Sequence, residues 1–207
     1  MLIFFFINWR QKRKLQTTED ISILIPCYND GQSIELTIKS IYDAYPPQHF
    51  QLIVINDKST DNSLDILQTL QDIYHFTLID NETNLGKSET LNTASNLAIH
   101  EKLLILDADV IIQPKHFYDM LARMQANPRV AAVSCPYVPH NTGFLPIMQD
   151  MEYVMIDLIQ GSYNAFGAIA LRGGCFIVQK SAFFEVGKFS SRMMTEDLDL
   201  AFKLNKA

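Results

Sequence analysis

Short apolar runs with few polar interruptions recur along the first half of the chain, at residues 21–26, 52–55, 76–80 and 103–106. Runs of this length, apolar on both faces, predict buried strands of a parallel sheet. Between them the apolar positions change to helical spacing. Ile34, Ile38, Ile41, Tyr42 and Tyr45 mark a first helix, which Pro46-Pro47 stops. Leu64, Leu67, Leu70 and Ile73 mark a second, with Asp61 or Thr60 in place to cap it. Leu91, Ala94 and Ala98 mark a third. Regular alternation of strand and helix predicts an α/β fold, a mostly parallel central sheet with helices on both faces.

The second half is less regular. Residues 130–134 read as a strand, and residues 144–160 as an amphipathic helix carrying Asp150, Glu152 and Asp157. Those charges exclude a free membrane span. Residues 175–178 read as a strand entered through the flexible pair Gly173-Gly174, and Thr195-Glu196-Asp197 opens a last apolar-periodic run.

Each early strand ends in a polar turn, and that is where ligands bind in open α/β sheets. Cys27-Tyr28-Asn29-Asp30-Gly31 follows the first strand, Asn56-Asp57-Lys58-Ser59-Thr60-Asp61 the second, and Asp107-Ala108-Asp109 the fourth. On an extended chain, side chains two apart point the same way. Asp107 and Asp109 then form a hard oxygen pair suited to Mg²⁺ or Mn²⁺, with phosphate oxygens as further ligands. No Gly-x-Gly-x-x-Gly fingerprint or P-loop follows any strand, which weighs against a dinucleotide enzyme or an NTPase.

Composition adds boundaries. The chain has 207 residues, 48% of them hydrophobic, enough for one well-buried domain. Its net charge of -6 argues against a nucleic-acid binder. Cys27, Cys135 and Cys175 are odd in number and lack zinc spacing, which fits a reducing compartment without a disulfide framework. The five histidines are scattered and read as ordinary surface or structural residues. Residues 1–9, MLIFFFINW, precede the basic cluster Arg10, Lys12, Arg13 and Lys14. That stretch is shorter than the roughly 20 apolar residues of a spanning helix. It reads as the end of a membrane helix with an interfacial Trp and positive-inside flank.

Taken in order, the motifs resemble the family 2 glycosyltransferases, in the nucleotide-sugar-binding GT-A architecture. The matching stretches are Ile25-Pro26-Cys27-Tyr28-Asn29-Asp30, Ile55-Asn56-Asp57-Lys58-Ser59-Thr60-Asp61, Asn84-Leu85-Gly86-Lys87 with Leu91-Asn92, Asp107-Ala108-Asp109, Gly173-Gly174 with Glu185-Val186-Gly187-Lys188-Phe189, and Thr195-Glu196-Asp197. The resemblance is closest to membrane-bound bacterial polysaccharide synthases such as those of cellulose, poly-N-acetylglucosamine and hyaluronan.

The resemblance implies an inverting transfer from a UDP-sugar to a hydroxyl of a glycan or lipid-linked acceptor, at the cytoplasmic face of the bacterial inner membrane. Asp57, Pro26 and Tyr28 would line the base and ribose pocket. Asp30 stands where the family often has glutamate. Lys87 would lie near the nucleotide, Asp107 would approach the sugar-nucleotide, and Asp109, with Asp107, would hold Mg²⁺ or Mn²⁺. Gly173, Gly174 and Glu196 complete the substrate-binding set, and Asp197 would be the general base. Residues 1–18 become a juxtamembrane segment and 19–207 a catalytic domain.

Two departures qualify the match. Lys58 stands where the family usually has glycine; a positive φ there would strain it. The Gln-x-x-Arg-Trp motif of processive members is absent, since the sole tryptophan is Trp9. The chain therefore reads as C-terminally truncated. A different class of reading follows: a non-catalytic remnant that binds nucleotide or associates with a membrane partner. A sugar nucleotidyltransferase is disfavoured, because residues 26–31 have one glycine and no Lys or Arg.

Overall fold

The computed structural model describes residues 18–137, 139, 143–165, 171–191 and 195–206. The hydrophobic and basic stretch at the start of the chain falls outside them. Six strands form one sheet: β1 (Ile21–Cys27), β2 (Phe50–Asn56), β3 (Thr77–Asp80), β4 (Lys102–Leu106), β5 (Ala132–Ser134) and β6 (Cys175–Gln179), in the order β3-β2-β1-β4-β6-β5. β1 to β4 run parallel, and β6 is antiparallel to both β4 and β5.

The lack of alternation in the strand sequences has a simple cause: both faces are covered. Ile21, Ile23, Ile25 and Cys27 of β1 face one core with Leu52, Val54, Leu104 and Leu106. Helices α1 (Ile34–Ala44), α2 (Ser63–Tyr74) and α4 (Pro114–Ala126) cover that side. Leu24, Ile53, Ile55, Leu103 and Ile105 face a second core, under α3 (Lys87–Leu97), α6 (Lys180–Glu185) and α7 (Glu196–Leu204). Burying each such side chain contributes roughly 1.5–3 kcal/mol, so β1, shared by both cores, anchors the domain.

The elements predicted within the described residues are all present, with three differences. α4 and α6 have no counterpart in the sequence reading, although Phe117, Met120, Leu121 and Met124 bury at helical spacing behind Pro114. The amphipathic helix is longer than expected: α5 spans Phe144–Ala165. Asp61 does not occupy the N-cap of α2; Asn62 does, without a capping side-chain bond, while Asp61 Oδ1 accepts from Ser63 N at 3.0 Å. No helix among the described residues is long and apolar enough to cross a membrane.

Register sets what faces what. Cys27 pairs with Asn56, and Asn56 with Asp80, so the C-terminal ends of β1, β2 and β3 are level. Leu24 pairs with Ile105, which brings Pro26 and Asp107 to the same height two residues on.

Candidate functional site

A cleft of about 350 Å³ opens over these strand ends, lined by Pro26, Cys27, Tyr28, Asp30, Asp57, Asn84, Gly86, Lys87, Asp107, Ala108 and Asp109. Seven of the residues picked from the sequence thus share one cavity: Pro26, Tyr28, Asp30, Asp57, Lys87, Asp107 and Asp109.

The wall beyond β1 and β2 is tied together by side chains bonding backbone. Asn29, at φ 59, accepts from Thr60 N at 2.7 Å through its Oδ1 and donates its own N–H to Ser59 Oγ at 3.0 Å. Asp61 Oδ2 accepts from Gly31 N at 3.1 Å. A Cβ on Gly31 would come within 2.1 Å of Asn62 Oδ1, so a larger residue there would displace the Asn62 side chain. The hydrogen bonds to Asp61, led by that from the Ser63 hydroxyl, hold its carboxyl below the usual range. Lys58 has φ 62: the loop keeps a left-handed turn with a lysine in it, at a cost on the order of 1 kcal/mol.

Asp57 is buried and holds three hydrogen bonds. Its Oδ1 accepts from Asn81 Nδ2 and Leu85 N, and its Oδ2 from Gly86 N, all at 2.8 Å. Asn84 Nδ2 donates to its carbonyl at 3.0 Å. The aspartate therefore organises the loop from residue 81 to residue 86 and, with it, the start of α3. Gly86 has φ 80, the left-handed value glycine tolerates, and its turn delivers Lys87 to the first position of α3.

Lys87 is the electrostatic hub. Its Nζ lies 2.7 Å from Asp107 Oδ1 and 3.0 Å from Glu196 Oε1, joining the end of β4 to the start of α7. Burial disfavours its ammonium, but Asp107 and Glu196 outweigh that and hold its pKa above the ordinary lysine value. One ammonium cannot satisfy all the carboxylates. Burial pushes the Asp107 carboxyl up, Lys87 only partly offsets this, and Asp109 and Glu196 add to the rise. Asp30 is also raised, mainly by burial, with Asp109 and Asp61 contributing. The cleft thus holds more negative charge than its lysine balances.

Asp107 and Asp109 share the cleft for a different reason from the one expected. β4 ends at Leu106, and Asp-Ala-Asp is a turn closed by Val110 N donating to Asp107 O at 3.2 Å. The carbonyl of the buried Ala108 accepts from Thr37 Oγ1 of α1 at 2.8 Å, which fixes the turn from below. Among the described residues no cluster of three or more His, Cys, Asp or Glu could hold a metal ion by itself. Two adjacent carboxylates with surplus charge fit a cation such as Mg²⁺, which keeps water and takes its remaining ligands from substrate phosphates.

Gly173, Gly174, Glu196 and Asp197 adjoin the cleft without lining it. Neither glycine has a positive φ; they are needed for close approach rather than for flexibility. A Cβ on Gly173 would sit 3.0 Å from Asp197 Oδ2, and one on Gly174 2.5 Å from Tyr137 Oη and 3.3 Å from Asp107 Oδ2. Gly174 O accepts from Asp107 N at 2.9 Å. The glycine pair is thus a thin partition between Asp107 and Asp197. Asp197, at the second position of α7, accepts from Leu198 N at 2.8 Å through its Oδ1.

Sequence reasoning missed Arg172 and Tyr137. Arg172 is buried, with its guanidinium 5.2 Å from the Tyr137 ring and 5.3 Å from that of Tyr153. Burial and the nearby Cys175 and Asp107 push the Tyr137 hydroxyl well up. An arginine next to a glycine pair reads as surface, and its partners lie far off along the chain.

Comparisons with known proteins converge. Residues 22–187 match the glycosyl transferase family 2 model. The chain is 32% identical over 197 residues to a poly-beta-1,6-N-acetyl-D-glucosamine synthase of Staphylococcus epidermidis, covering 94% of this chain and 48% of that protein. It is 29% identical over 202 residues to the synthase of the same name from Staphylococcus aureus (strain COL), covering 96% and 49%. It therefore spans about half the length of the curated relatives it matches. A mannosyltransferase of Pyrobaculum calidifontis, solved with GDP-Man and Mn²⁺, shares the fold at a TM-score of 0.74 and 20% identity over 98% of this chain and 59% of that one. Residues 1–349 of S. aureus TarS, solved with UDP-GlcNAc, align at a TM-score of 0.66 and 18% identity over 90% and 53%.

Proposed function

This chain belongs to glycosyl transferase family 2 and has the GT-A fold of its structural neighbours, and from that premise we propose that it carries the donor-binding part of an inverting, metal-dependent transfer of sugar from a UDP-sugar to an acceptor hydroxyl. The observation that carries this is the surplus of carboxylates at the end of β4, Asp107 and Asp109, facing a cleft whose opposite wall is built around Asp57. N-acetylglucosamine is the sugar favoured by the relatives' names.

In this reading Pro26 and Tyr28 flank the base, and Asp57 Oδ2, which accepts one protein hydrogen bond, keeps a lone pair for it. Asp30 faces the ribose side. Asp109 and Asp107 would hold Mg²⁺ or Mn²⁺, which would supply Lewis-acid stabilisation of the departing diphosphate. Lys87 places a fixed positive charge beside Asp107 and Glu196, where the leaving group gains negative charge. Gly173 and Gly174 serve substrate binding by letting Asp197 and Tyr137 approach the backbone beside Asp107. Asp197 takes the proton of the acceptor hydroxyl, a role typically worth 10²–10⁴-fold in rate. In-line attack at the anomeric carbon then inverts configuration without a covalent enzyme intermediate. The acceptor is a glycan or lipid-linked sugar, residues 1–18 adjoin the membrane, and residues 19–207 work at its cytoplasmic face.

Calorimetric titration of UDP with and without Mn²⁺ tests the reading. Expected is binding that requires Mn²⁺ and falls at least tenfold in Asp109→Ala. Equal affinity in that variant would remove the metal role; no binding by the unaltered chain in either condition would remove the donor site. One observation favours a second reading. α5 exposes Phe144, Leu145, Ile147, Met151 and Met155, as a chain acting only by association with a membrane partner would. A stable complex of that kind without any turnover would establish it.

A further inference from the structure

α5 is attached to the domain in an unusual way. Among its described side chains none is buried, and Pro146, Tyr153, Ile156, Asp157, Gly161 and Ser162 are its half-buried residues. Two of them, Tyr153 and Asp157, converge on Arg172. Its Nη2 donates to Tyr153 O at 2.9 Å and lies 3.3 Å from Asp157 Oδ1. The rings of Tyr137 and Tyr153, with centroids 5.9 Å apart, both face the guanidinium. A planar, delocalised cation can stack on rings while donating in its plane; lysine cannot.

The other end of this arrangement touches the cleft by two routes. Along the backbone, Arg172 is followed directly by Gly173 and Gly174, the partition between Asp197 and Asp107. Through space, the Tyr137 ring that faces Arg172 carries its hydroxyl to the α-carbon of Gly174, beside Asp107. Gly174 O in turn accepts from Asp107 N, and Cys175 O accepts from Cys135 N at 3.0 Å.

We propose that Arg172 is a positioning residue that couples the seating of α5 to the separation of Asp107 and Asp197. When Tyr153 and Asp157 hold the guanidinium, Tyr137 is pressed against Gly174 and the partition is fixed. When α5 lifts, Arg172 loses its hydrogen-bonding partners, and Tyr137 and the segment from residue 171 to residue 174 are released together. Arg172 touches no reacting atom. Its effect falls on the acceptor side and spares the wall built by Asp57. The kinetic consequence rests on the function proposed above; the mechanical coupling does not.

Amide hydrogen exchange on the full chain, followed residue by residue, tests the coupling. In Arg172→Met the amides of α5 and those of Asp107 and Cys135 are expected to exchange at least tenfold faster. The amides of Leu85 and Gly86, bonded to Asp57, should stay within twofold. Asp157→Asn, which preserves shape, should reproduce the pattern in weaker form and serves if Arg172→Met does not fold. Arg172→Lys should fall between the two. Faster exchange in α5 with Asp107 and Cys135 unchanged would overturn the proposal, making Arg172 a staple for the helix alone. So would a uniform rise across the sheet. UDP-GlcNAc hydrolysis adds the kinetic arm: kcat is expected to fall at least tenfold, with KM for the donor within threefold. A raised KM with unchanged kcat would overturn the positioning role. If the unaltered chain neither binds nor hydrolyses the donor, the proposed function fails, and the exchange pattern still decides the coupling.

Discussion

Asp57 and Asp197 are both carboxylates at the ends of elements, yet they are held very differently. Asp57 is buried and accepts three hydrogen bonds from one loop. Asp197 is half-buried, and its one hydrogen bond on view comes from the next residue in the chain. The first is locked by its surroundings before any ligand arrives. The second depends on how closely the glycine partition and α7 approach each other. Rigid placement belongs to the wall made beyond β1 and β2, and adjustable placement to the glycine pair and α7, which flank the cleft.

The contrast can be broken most severely at Asp57. Asp57→Ala leaves Asn81 Nδ2, Leu85 N and Gly86 N without their acceptor, and roughly 3 kcal/mol of stability should go. Urea unfolding measures it, and Mn²⁺-dependent UDP binding should be lost as well. A loss below about 1 kcal/mol would mean that the loop is held by something else. On the adjustable side, Gly174→Ala forces a methyl against Tyr137 Oη. The expected cost is about 1–3 kcal/mol by thermal unfolding. The added methyl should also displace Tyr137 from Arg172, seen as faster exchange in α5. The smallest effect sharpens the comparison from the rigid wall. Lys58→Gly relieves the left-handed lysine at up to about 1 kcal/mol, less the extra freedom glycine gives the unfolded chain. A gain of a few tenths of a kcal/mol in urea unfolding is expected, with UDP affinity unchanged within twofold.

Legibility in the sequence followed the same division. The strands of the rigid wall are short apolar runs closed by polar turns, so period and punctuation place Pro26, Tyr28, Asp30, Asp57 and Asp107 at one end of a sheet. The antiparallel direction of β6 is not encoded in its residues, because a strand buried on both faces reads alike in either direction. Nor was the turn at Asp107-Ala108-Asp109 foreseeable. The bond from Thr37 that holds it comes from 71 residues away. Arg172 was hidden for the same reason: its burial depends on Tyr137, Tyr153 and Asp157, none of them a neighbour in sequence. What pattern reading recovers is local geometry. What it loses is every placement made by one distant side chain.

The bond between Asn29 and Thr60 spans 31 residues, that between Thr37 and Ala108 spans 71, and that between Asn92 and Phe189 spans 97. The cleft floor therefore exists only once the parallel strands have found one another, late along a folding route dominated by distant pairings. A nucleotide bound there recognises the finished sheet and no earlier species. It should lengthen the lifetime of the native chain by slowing its unfolding, while leaving the speed of refolding where it was.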